Sequence, residues 1–156
     1  MKILVVYDSY FGNTEKIAAA IGDALTSSGQ VEVARISTLS PAQLQGVQML
    51  VVGSPTRAFQ PSDATKAFLK NLGSKELKSV KVAAFDTRVD VARVNSAILT
   101  FMVKLFGYAA EPIARSLQKK GGVLVGKPAG FFVKGKEGPL EEGELERAAA
   151  WAKQLV

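Results

Sequence analysis

Short apolar runs alternate with helical stretches along this chain, and that alternation leaves few folds open. Residues 2–7, 47–53, 80–86 and 123–126 are near-continuous apolar runs, as expected of parallel strands covered on both faces. Residues 31–36 mix apolar side chains with Glu32 and Arg35, which suits an edge strand. Helical spacing falls between the strands at 13–28, 62–72, 95–119 and 141–155. The last of these has one apolar face of Leu145, Ala148, Ala149, Ala152 and Leu155, with Glu141, Glu142 and Glu144 in its first turn and Lys153 in its last, the polarity that the helix dipole favours. Five strands with right-handed helical crossovers predict an α/β fold, a three-layer doubly wound five-stranded parallel sheet. The 156 residues form a single domain, 1–156, without repeat, linker or low-complexity segment.

Two segments interrupt the alternation. After the fourth strand, Arg88, Asp90 and Arg93 precede a strongly apolar stretch ending at Phe106. A buried helix is the expectation there, with an apolar lid or self-association surface beside a ligand site as the alternative. After the fifth strand, Pro128, Gly130, Gly135, Gly138 and Pro139 mark a long connection over 127–140, in which Phe131 and Phe132 tuck against the sheet.

Composition removes several kinds of chemistry. There is no cysteine and no histidine, so disulfides, thiolate or imidazole metal sites, Cys nucleophiles and His acid–base catalysis are all excluded. Residues 1–20 lack the pattern of a signal peptide, and the apolar stretch from Ile98 to Ala110 is too short to span a bilayer. A cytoplasmic protein without membrane insertion is expected. The formal charge is +6, yet the basic residues are scattered, with Lys119 and Lys120 the only adjacent pair. No aromatic residues interleave with a basic run, so no nucleic-acid partner is expected, and the charge suits an acidic protein partner or solubility alone.

For strand order 2-1-3-4-5, ligands bind at the crevice flanked by strands one and three, outside their carboxyl ends. Three loops reach it. The first, residues 8–14, is rich in hydroxyls and amides and opens a helix, where unpaired N–H groups and the dipole favour an anion. It has no Lys or Arg and no GK[ST] ending, so neutral donors would hold the anion. An ordinary turn capped by Asn13 or Thr14 is the plainer reading of that loop alone. The second, residues 54–61, lies between two prolines and offers Thr56, Arg57 and Phe59; the third, residues 86–90, adds Arg88. A phosphate socket beside two loops with rings and hydrogen-bonding groups suits a mononucleotide.

The segments Ser9-Tyr10-Phe11-Gly12-Asn13-Thr14-Glu15, Gly53-Ser54-Pro55-Thr56 and Phe85-Asp86-Thr87-Arg88 resemble the three flavin-binding loops of the flavodoxin family, in order and over the full length. The resemblance implies a flavodoxin-like fold with FMN as cofactor. It implies that Ser9, Gly12, Asn13 and Thr14 hold the phosphate, helped by the amides of Tyr10 and Phe11. Pro55, Thr56, Arg57, Ala58 and Phe59 would border one side of the flavin, and Asp86, Thr87, Arg88 and Val89 the other. Tyr10 and Phe11 stand where many flavodoxins carry threonines, so backbone donors carry more of the phosphate. No tyrosine follows the fourth strand directly, leaving Phe59 or Tyr10 to stack on the ring.

The function implied is an electron carrier that exchanges electrons with redox partner proteins. An FMN-dependent NAD(P)H:quinone-type oxidoreductase and a flavodoxin-fold binding module that has lost FMN are the alternatives. Flavodoxins as a family are acidic, whereas this chain is basic, and Arg57 and Arg88 are expected near the ring. Cations there would favour the reduced, anionic flavin and make the potential less negative.

Overall fold

Residues 3–6 present an apolar side chain at every position, so neither face of that strand can meet water. All four are fully buried at the centre of the sheet. The computed structural model describes residues 1–91 and 96–156. Strand β1 (Lys2–Tyr7) pairs in parallel with β2 (Gln30–Arg35) on one side and β3 (Met49–Pro55) on the other. β4 (Lys81–Val89) follows beside β3. The fifth place is filled by two pieces in line: β5 (Val123–Leu124) pairs with the start of β4, and β6 (Ala129–Val133) pairs with its end. The order is β2-β1-β3-β4-β5 with all ladders parallel, as predicted.

Helices α1 (Asn13–Leu25) and α6 (Glu144–Lys153) cover one face of the sheet, packing Ile17, Ile21 and Ala148 onto Ile3, Val5 and Phe85. Phe85, Phe131 and Trp151 meet there edge to face, with centroids 6.1–6.3 Å apart. Helices α3 (Asp63–Asn71) and α5 (Ala110–Lys119) cover the other face, packing Leu69, Ile113 and Leu117 against Leu4, Val6, Leu50 and Val52. A single turn, α2 (Pro41–Leu44), lies between β2 and β3.

Two expectations are corrected. The stretch 127–140 is not wholly a connection: β4 runs on to Val89, and residues 129–133 pair with its outer edge from Phe85 to Val89. Gly126, with φ 70°, and Pro128 separate this piece from β5. The helix predicted over 95–119 is two helices, α4 (Ala97–Phe106) and α5, parted at Gly107, where φ is 71°. α4 is not a buried helix; Ile98 is 76% exposed and Phe101 62% exposed. Arg93 and Val94 lie outside the described residues. Among those described, no helix is long and apolar enough to cross a membrane.

Candidate functional site

The first loop leaves β1 through a hydrogen bond from Asp8 N–H to the Gly53 carbonyl, 3.1 Å. It then folds on itself: Ser9 N–H donates to Asp8 Oδ1 at 2.9 Å, and Gly12 N–H donates to Ser9 Oγ at 3.0 Å. Gly12, at φ 90°, is the residue from which α1 starts. A Cβ there would meet nothing within 4 Å, so glycine is favoured by the left-handed backbone and not by space. Arg35 braces the loop from outside, donating to the Ser9 carbonyl at 2.9 Å and to Glu15 at 2.8 Å.

Hydrogen bonds join the three loops to one another. Thr14 Oγ1 lies 2.7 Å from Thr87 Oγ1, linking the first to the third. Thr56 N–H donates to the Thr87 carbonyl at 2.9 Å, linking the second to the third. Beyond Thr56, Arg57 and Gln60 exchange two backbone hydrogen bonds of 2.9 Å around Ala58 (φ 46°) and Phe59 (φ 65°). That is a primed hairpin turn built without glycine, a strained conformation of the kind that collects at functional sites. The turn sends the Arg57 guanidinium over the Tyr10 ring, 4.3 Å from its centroid, and 5.5 Å from that of Phe11.

The third segment is strand and not loop as far as Val89. The fully buried Asp86 side chain accepts two 2.6 Å hydrogen bonds from Arg88 and one of 2.9 Å from Ala110 N–H at the start of α5. Burial pushes the Asp86 carboxyl up from its ordinary range, against the opposing pull of Arg88 and of the Ala110 amide. The Arg88 guanidinium also stacks on Tyr108 at 3.6 Å. It lies so close to Gly130 that a Cβ there would come within 2.1 Å of it.

These elements enclose a cleft of about 150 Å³. Ser9, Tyr10, Phe11, Asn13, Thr14, Pro55, Thr56, Arg57, Thr87, Arg88 and Val89 line it. Four residues expected at the site are not in its wall. Gly12 acts through its backbone, Ala58 and Phe59 form the turn that carries Arg57, and Asp86 lies against Arg88. Of the two rings considered for stacking, Tyr10 is in the wall and Phe59 is not. Val133 and Lys136 also line the cleft, and sequence reasoning missed them. Reading Phe131-Phe132-Val133 as a strand would have found them, because its carboxyl end falls on the same sheet edge. Tyr108, beneath Arg88, was missed as well.

A family model described as flavodoxin matches residues 5–151. A flavodoxin of Clostridium saccharobutylicum is 27% identical over 159 aligned residues, spanning 100% of this chain and 96% of that protein. Among solved structures, a flavodoxin from the domain Archaea superposes with a TM-score of 0.77 at 22% identity, covering 97% of this chain and 94% of that one. Oxidised flavodoxin 1 from Bacillus cereus gives 0.78 at 18% identity, covering 99% and 97%. At such identities, the two structures speak for the fold.

Proposed function

This chain belongs to the flavodoxin family, and from that premise we propose how its own residues serve an FMN-binding electron-transfer protein. The observation that carries the reading is the convergence of three strand-end loops on one cleft, tied together by Thr14, Thr56 and Thr87, with the start of α1 among them. The donor set fits a phosphate, since the backbone N–H groups that open α1 lie at the positive end of its dipole. Pro55, Thr56 and Val89 supply walls suited to a flat ring. The cleft is smaller than the roughly 300 Å³ usual for ligand pockets, and the Arg57 side chain stacked on Tyr10 is the group to be displaced.

FMN, when bound, supplies the electron-transfer chemistry itself. In this reading Ser9, Asn13, Thr14 and the amides of Tyr10 and Phe11 hold its phosphate. Thr56, Arg57, Thr87 and Val89 orient the ring and keep water from it. No residue is required as acid, base or nucleophile, which suits a chain without His or Cys. The 156 residues act as one domain in the cytoplasm, and their redox partner is acidic. Lys66, Lys70, Lys119 and Lys120 surround a groove of about 330 Å³ between α3 and α5, but Lys70 and Lys119 end those helices and so stand at the sheet edge opposite the cleft, where a docked partner would be far from the flavin.

An absorption spectrum of the purified protein before and after incubation with FMN tests the reading. A flavin spectrum that stays with the protein through gel filtration is the expected result. A protein that remains colourless is a fold that has lost its cofactor. Steady NAD(P)H oxidation with a quinone and no separate reductase would instead make it an enzyme.

A further inference from the structure

We propose that Lys136 supplies the positive charge that the phosphate loop lacks and sets this chain's preference for a phosphorylated flavin over one without phosphate. The inference rests on the FMN reading above. Between Asp8 and Glu15 the loop has no Lys or Arg, so its side chains offer the phosphate only neutral donors, each of which also serves the loop itself. Ser9 Oγ accepts from Gly12 N–H, Thr14 Oγ1 meets Thr87 Oγ1, and Asn13 Nδ2 donates to the Glu137 carbonyl at 3.0 Å. Arg35 is directed outward to Glu15, and Arg57 lies over two rings.

The Asn13 hydrogen bond brings a cation to the site. It fastens the connection after β6 to the first residue of α1, and Gly138 sits so close that a Cβ there would come within 2.6 Å of the Asn13 amide. Lys136, next to Glu137, is exposed and lines the cleft together with Ser9, Asn13 and Thr14. A flexible ammonium at a helix N-terminus adds a second positive contribution for the same anion. Being exposed, it is sensitive to salt.

The test is titration of the flavin-free protein and of Lys136→Gln with FMN and with riboflavin, followed by flavin fluorescence at low and high salt. Lys136→Gln is expected to bind FMN roughly three- to tenfold more weakly. Riboflavin affinity should not change, and the variant's FMN affinity should depend less on salt. Equal FMN affinity in the two proteins overturns the inference, as does an equal loss for both flavins. A wild-type protein that binds neither flavin overturns the FMN reading, and the inference with it.

Discussion

Arg88 reaches Asp86 through two 2.6 Å hydrogen bonds while its guanidinium lies over Tyr108, so its charge is met inside the protein. Removing one partner of such a buried pair leaves the other uncompensated. Arg88→Ala is expected to cost about 3–5 kcal/mol in urea unfolding, and the double variant Asp86→Ala/Arg88→Ala less than the sum of the single losses. The expectation that Arg88 tunes the flavin is therefore revised in favour of Arg57. That side chain contacts Tyr10 and Phe11, and among the described residues it has no ion pair. Arg57→Ala should shift the midpoint potential negative, on the order of tens of millivolts, as read by potentiometry; no shift would remove Arg57 from any tuning role. The donors of the first loop were legible because hydroxyls and amides between a strand and a helix carry their own chemistry. The Arg88–Asp86 pairing was not, because two residues apart in a strand could equally have pointed to solvent, and Tyr108 and Gly130 decide the matter from elsewhere in the chain.

Glu144 and Arg147 tie helix α6 to β6, Arg147 donating to the Gly130 carbonyl at 2.5 Å. Glu144 accepts from Phe132 N–H at 2.7 Å and from Arg147 at 2.8 and 2.5 Å. Burial works to raise its pKa, but the hydrogen bonds from Arg147 and Phe132 outweigh burial and hold it below the ordinary glutamate range. A carboxyl with a depressed folded-state pKa contributes stability that is present above its unfolded pKa and is lost as pH falls through the folded value. Thermal melts should thus show Tm falling as the solution is acidified below the usual glutamate range, and Glu144→Gln should flatten that acid limb. An unaltered pH profile in the variant would mean that the clamp contributes nothing. α6 was legible from Ala148 and Ala152, both fully buried, although it begins at Glu144 and not at 141, and Leu145, expected on its apolar face, is 42% exposed; β1 was legible from four consecutive apolar residues. β6 was hidden by Gly130, which gives a strand no side chain to show. A Cβ at that position would push the Arg88 guanidinium away from its place on Asp86. The break at Gly107 was hidden in a different way, since the apolar residues before it continue a helical pattern whose exposure only tertiary packing reveals.

Across the whole molecule the excess of positive charge is 20 basic against 14 acidic residues, and its effect belongs to encounter and not to the fold. Electron transfer with an acidic partner should slow as ionic strength rises, with the flavin spectrum unchanged. Stopped-flow measurements across a salt series check this; a rate indifferent to salt would exclude electrostatic steering of the partner. The strand pairing at the far side of the sheet has a consequence for behaviour at high concentration. The chain returning after β6 donates from Glu141 N–H to the Phe132 carbonyl and from Lys134 N–H to that of Pro139, and Glu144 takes the Phe132 N–H. The main-chain groups of Phe132 that a foreign strand would seek are therefore already taken, while β2 at the opposite margin sets Glu32 and Arg35 along its length. The β6 part of one margin is thus closed at Phe132 and the opposite margin is charged, and both features discourage strand-to-strand polymerisation.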